Sequence, residues 1–124
     1  MKSLNQFLQE KLVDKRVYNY QPKTKEELQE IIKQRIAKEG NKANLNDIDV
    51  SHITDTSSLF IKLNKFNGDI SKWDVSNVER MDRMFDKSKF DGDINRWDVS
   101  NVTDMSLMFY RSPLEGKEPS WYRG

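Results

Sequence analysis

The stretch that decides the fold runs from Phe66 to Pro113, where FNGDISKWDVSNVERMDRMFDKSK (66–89) is followed at once by FDGDINRWDVSNVTDMSLMFYRSP (90–113). A unit that returns every 24 residues and carries one apolar face cannot bury that face alone, so it must stack on its neighbours. Aligning on Asp-Val-Ser exposes a degenerate third copy upstream, from Leu45 through Asp49-Val50-Ser51 to Leu59 and Phe60. Asp49 precedes Asp74 by 25 residues and Asp98 follows it by 24, so one residue is inserted between Phe60 and Phe66.

Within a copy, the apolar residues are Ile70, Trp73, Val75, Val78, Met81, Met84 and Phe85, and then Ile94, Trp97, Val99, Val102, Met105, Met108 and Phe109. Trp to Val steps by two, the period of a strand; Met, Met, Phe steps by three and one, the period of a helix. This predicts a short strand, a turn at Ser-Asn, and a short helix with Thr103 as a fair N-cap and Glu79 and Asp104 near positive helix starts. The string Ile-x-x-Trp-x-Val-x-x-Val also has the spacing of a leucine-rich repeat, with Val78 and Val102 in the usual asparagine position. The expected fold class is α/β: a short leucine-rich-repeat-like solenoid of about three strand-turn-helix coils with an N-terminal helical cap.

Working outward, Thr24 and Glu27 form a capping box, Leu28, Ile31, Ile32 and Ile36 an apolar stripe, and Gly40 a left-handed stop. These predict a helix over 25–39 that covers the open end of the stack. Ser3 with Gln6, and Leu4, Phe7, Leu8 and Leu12, predict another helix over 4–15. After the last copy, Leu114 and Gly116 restart the Phe-x-Gly pattern and Pro119 stops it, leaving Trp121 and Tyr122 as a lid or, in the opposing reading, a binding hot spot. The expected organisation is one folding unit: helices over 1–43, repeats over 44–113 (44–65, 66–89, 90–113), and a cap over 114–124.

Composition narrows function chiefly by exclusion. Twenty-one basic and twenty acidic side chains leave a net charge of +1, too little to draw in nucleic acid or an anionic membrane. The absence of cysteine removes disulfides, thiolate metal sites, a cysteine nucleophile and an acylated lipoprotein cysteine. No run of apolar residues has signal-peptide or membrane-span length, so the chain as written reads as unexported, cytoplasmic or virion-associated.

If Trp and Val point inward, the intervening residues form outward rows: Asp47, Lys72, Arg96; Asp49, Asp74, Asp98; and Ser51, Ser76, Ser100. Three stacked aspartates repel unless hydrogen-bonded, metal-bound or matched by a cationic partner. One reading gives each Asp to amides and hydroxyls of its own turn. Another makes Asp49, Lys72, Asp74, Arg96 and Asp98 partner contacts on the sheet face. Calcium is the third, but Asp91-Gly92-Asp93 lacks the further oxygen ligands and glutamate of an EF-hand. His52, the one histidine, takes the place of Asn77 and Asn101 and reads as a turn residue. No phosphate loop, nucleophile elbow or metal-ligand spacing occurs, so neither catalysis, metal nor cofactor is expected.

The wording of the two copies, FNGDISKWDVSNVERMDRMF (66–85) and FDGDINRWDVSNVTDMSLMF (90–109), resembles the BspA-like, mycoplasma-lipoprotein-type repeat, also described as palindromic amphipathic repeats. The resemblance covers Leu45 to about Pro113, and PKTKEELQEIIKQRIAKEGNKANLNDIDVS is similar to the usual lead-in. It implies surface or phage-borne proteins of undefined or loosely adhesive function. This chain departs from secreted members in lacking a signal and a lipobox cysteine. Its opening, MKSLNQFLQEKL, is similar to tags on phage-encoded proteins. The expected function is thus a non-catalytic protein-interaction module binding an unidentified protein through the sheet face. The alternative is a structural or assembly protein with a helical N-terminal tag. Nucleic acid, membrane insertion and a small-molecule substrate are not expected.

Overall fold

The computed structural model describes residues 18–124, so the helix expected over 4–15 lies outside the described residues. Helix α1 spans Lys25–Glu39, the range its capping pattern predicts. Thr24, in extended conformation, accepts from the Glu27 amide at 3.1 Å, and the Gly40 amide donates to the Ile36 carbonyl with φ at +88°. Such a φ favours glycine as the stop. Leu28 and Ile32 are fully buried against the first copy, with Ile31 and Ile36 packed beside them.

The predicted α/β solenoid of strand-turn-helix coils does not form. Among the described residues there is no helix besides α1 and no sheet, and strand-type ladders between copies are limited to isolated parallel bridges such as Asp55 to Arg80 and Arg80 to Asp104. Each copy is instead a succession of β-turns, stacked on the next.

The reason no helix forms at Met81–Phe85 lies in how its amides are shared. Met84, Asp86 and Ser88 donate to Met81, Arg83 and Phe85, three residues back. The alternate amides of Met81, Arg83, Phe85 and Lys87 donate to the carbonyls of Asp104, Ser106, Met108 and Tyr110 in the next copy, at 2.8–3.0 Å. An α-helix would spend all of them internally and leave none for the neighbour. Left-handed residues punctuate the turns: Ser58, Arg83, Lys87, Leu107 and Arg111, all with φ between 55° and 58°.

The strand at Trp-Asp-Val fails for lack of room. One turn closes from Trp73 to Ile70 and another from Val78 to Val75, leaving only Asp74 between them. Side chains supply the missing rungs. The indole N–H groups of Trp73, Trp97 and Trp121 donate to the carbonyls of Leu45, Ile70 and Ile94 in the preceding copy at 2.9–3.1 Å. Asn77 and Asn101 reach back likewise to Ser51 and Ser76.

The period-24 apolar residues form the core. Phe60, Phe85 and Phe109 stack as one ladder, with centroids 5.3 and 5.8 Å apart, and Phe66 and Phe90 as a second. Trp73, Trp97 and Trp121 make a third, at 6.4 and 6.2 Å. Gly68 is obligatory at its turn, because a Cβ there would collide with the Ala43 carbonyl oxygen one copy below.

Along the segment 56–60 and its equivalents, backbone amides point to the following copy and the carbonyls between them point back. Carbonyls of the first copy face α1, where Lys25 Nζ donates to Ser57 O at 3.2 Å and Gln29 Nε2 reaches Leu59 O at 3.5 Å. These carbonyls correspond to those of Asp82 and Met84, which accept from the copy beneath them. One turn of helix spaces Lys25 and Gln29 to stand in for an absent copy.

Candidate functional site

With no sheet, there is no sheet face, and the residues expected on it sit at turns. Asp49 Oδ1 accepts from the Ser51 amide at 3.0 Å. Asp74 Oδ1 accepts from the amide and hydroxyl of Ser76, at 3.1 and 2.6 Å, and Asp98 from those of Ser100, at 3.0 and 2.7 Å. The hydroxyl of Ser100, then its amide, holds the Asp98 carboxyl below the usual carboxylate range. The same Asx turn recurs at Asp69 with Ser71 and Asp104 with Ser106. Lys72 and Arg96 are exposed, and neither side chain forms an ion pair among the described residues. Asp47, which heads their row, is committed elsewhere: Arg35 Nη1 donates to both its oxygens at 2.8 and 3.0 Å, and Asn19 Nδ2 to Oδ2 at 2.7 Å.

The concave surface lies further along each copy. A polar trough of about 580 Å³ crosses all three copies, lined by two columns of equivalent residues, His52, Asn77 and Asn101 beside Thr54, Glu79 and Thr103, with Ser51 at one end. Each column is fixed by stacking bonds. Asn77 and Asn101 spend their Nδ2 groups on the carbonyls behind them, and Thr103 Oγ1 donates to Glu79 O at 3.2 Å while its amide does so at 2.8 Å. The amide oxygens of both asparagines and the Glu79 carboxylate remain as acceptors, with the His52 imidazole at the edge.

None of Asp49, Lys72, Asp74, Arg96 and Asp98 lines this trough. The residues that do were visible in the sequence as columns at the same 25- and 24-residue spacing. The local pattern assigns His52, Asn77 and Asn101 to turns, Thr103 to a helix cap and Glu79 to a helix start, and so conceals the row that Glu79 and Thr103 form with Thr54. With the helix replaced by turns, these positions open to solvent as a row.

The trough holds neutral hydrogen-bonding groups, one carboxylate, one imidazole and no lysine or arginine. Among the described residues, no three His, Cys, Asp or Glu side chains are placed to hold a metal ion, and no helix is long and apolar enough to cross a membrane.

No curated protein and no solved structure matches the chain. A family model described as a Mycoplasma protein of unknown function, DUF285, matches residues 25–121. That span takes in α1, all three copies and Trp121. It supports the mycoplasma-type part of the resemblance, and the BspA-like label goes no further than resemblance. The chain belongs to the DUF285 family of Mycoplasma proteins of unknown function.

Proposed function

We propose that the chain is a non-catalytic protein-interaction module that binds an extended polypeptide along the polar trough. The observation that carries this reading is the repetition of two side-chain columns across three copies, His52–Asn77–Asn101 and Thr54–Glu79–Thr103. A ligand lying along the stack meets a polar side chain from each column at every copy, with the Asn77 and Asn101 amide oxygens and the Glu79 carboxylate as acceptors, which suits the regular amides of a peptide chain. Nucleic acid is disfavoured because no cation lines the trough to meet a phosphate. Catalysis is disfavoured because, among the described residues, the His52 imidazole makes no hydrogen bond to a hydroxyl that it could activate as a nucleophile.

The test uses a photo-crosslinking residue at His52 and, as a control, at Lys87, with and without T54K/E79K. Thr54 and Glu79 are exposed, and their side chains make no hydrogen bond among the described residues, so the double variant should fold. The expected result is a discrete adduct from position 52 that T54K/E79K abolishes. The same adducts from both positions, or survival of the adduct in the double variant, would overturn the proposal.

A further inference from the structure

The nearly neutral charge of the chain is not spread evenly over its surface. The segments 61–65, 83–89 and 107–111 belong to successive copies and hold six basic side chains against one acidic, Asp86. Lys62, Lys87 and Arg111 occupy equivalent positions at spacings of 25 and 24, and all three are exposed. The Lys87 amide donates to the Tyr110 carbonyl at 2.8 Å, which sets Lys87 beside Arg111. Like charges stacked this closely repel unless something outside the row neutralises them. Among the described residues, none of the three side chains forms an ion pair.

The acids nearby cancel little of this charge. Asp86 is buried and spends one oxygen on Arg83 Nη1 at 3.4 Å, a cation that stays half exposed. Glu115 accepts from the Arg111 amide, and Glu26 and Glu30 of α1 line a groove with Lys62. The same edge gathers apolar surface: of the four large apolar side chains exposed among the described residues, three are Ile61, Leu107 and Tyr110. Ile61 and Tyr110 are the equivalents of Asp86, and Leu107 of Arg83, so each stands in or beside the rows that carry the cations. Arg111 lies over the Tyr110 ring, 5.1 Å from its centroid.

We propose that this edge binds the surface of an anionic lipid bilayer, its cations against the headgroups and Ile61, Leu107 and Tyr110 at the boundary of the acyl chains. The occupant follows from charge complementarity joined to exposed apolar area, the pairing that holds a protein to such a surface. Lying across the columns, a peptide partner would find the amides of Arg83, Phe85 and Lys87 already spent on Ser106, Met108 and Tyr110. A nucleic acid would use the cations and stack on Tyr110, but Ile61 and Leu107 would have no role. The trough holds no lysine or arginine and is built from other residues of each copy, and neither proposal depends on the other.

Vesicle flotation of the full chain tests it, with phosphatidylcholine vesicles holding about a third phosphatidylserine and pure phosphatidylcholine vesicles as control. The chain should float with the anionic vesicles and not with the neutral ones, and rising salt should release it. K87N/R111N removes two charges at positions whose φ of 58° and 55° asparagine tolerates, and should lower the partition about thirtyfold. K72N/R96N removes the same charge from a different stretch of each copy and should bind as the parent does. L107N, at a φ of 56°, keeps every charge and should weaken binding while leaving its salt dependence. No flotation with the anionic vesicles, flotation with both kinds alike, equal losses in the two double variants, or no loss in L107N overturns the proposal. So does a uridine oligonucleotide bound more tightly than the vesicles and unaffected by L107N, which would assign the edge to nucleic acid.

Discussion

Trp121 lies over Trp97 with ring centroids 6.2 Å apart and planes inclined by 13°, and its indole N–H donates to the Ile94 carbonyl at 3.0 Å. Trp97 repeats both contacts one copy earlier, on Trp73 and Ile70. Trp121 is therefore the next rung of the ladder as well as a cover for the last copy. Truncating it removes an aromatic contact worth about 0.5–1.5 kcal/mol beyond area and strands a carbonyl. W121A should lose about 2 kcal/mol in urea unfolding, and W97A, buried between two rings, about 3–5 kcal/mol. Equal losses would mean the tail does not continue the stack.

The turns at Lys87 and Arg83 separate this architecture from the helical one by the sign of a single substitution. Lys87 has a φ of 58° and an exposed side chain. Left-handed backbone costs a non-glycine residue about 1–2 kcal/mol, and asparagine carries less of that cost. K87N should therefore raise stability, by up to about 1 kcal/mol. Were the segment helical, the lower helix propensity of asparagine would reduce stability by a few tenths. Denaturation midpoints of the two proteins distinguish the signs.

These turns are hidden in the sequence for a physical reason. A period of three and one at Met81, Met84 and Phe85 reports only which side chains face the core, and a chain of alternating turns can meet that requirement as well as a helix can. What decides between them is where alternate amides find acceptors, and those belong to Asp104, Ser106 and Met108 in another copy. Helix α1 was legible because its determinants are local: Thr24, Glu27 and Gly40 act within a few residues. Stacking was legible from the period itself. The trough was not, since assigning Thr103 to a helix cap hid the column it forms with Glu79 and Thr54.

Acid should weaken the fold through Asp47. Burial pushes its carboxyl up, but the hydrogen bonds from Arg35 and Asn19 outweigh that and hold it below its ordinary 3.8, while the Arg35 pKa is raised, first by its hydrogen bond to Glu39. A carboxyl depressed in the folded state contributes stability that is present above the unfolded pKa and disappears as pH falls through the folded one. Asp69, Asp98 and Asp104 are lowered too, by bonds from Ser71, Ser100 and Ser106. Stability should be level down to about pH 4 and then fall. D47N should be less stable than the parent at neutral pH and show a shallower loss below pH 4. An unchanged slope in D47N would remove this pair from the acid response.

The helical cap makes the most specific demand. If Lys25 and Gln29 substitute for a preceding copy, removing both leaves the Ser57 and Leu59 carbonyls without protein partners at a partly buried site. Losing a partner from a partly buried acceptor costs about 1–3 kcal/mol, less where water can enter. Lys25 also lies 3.6 Å from Asp55, a long, partly solvated pair that adds little. K25A/Q29A should therefore lose about 2 kcal/mol, whereas K33A/Q34A on the same helix, away from those carbonyls, should be nearly neutral. Since alanine favours helix at all four positions, any loss in the first variant reads the cap rather than helix propensity. Matching urea midpoints for the two double variants would show that α1 covers the stack by its apolar stripe alone.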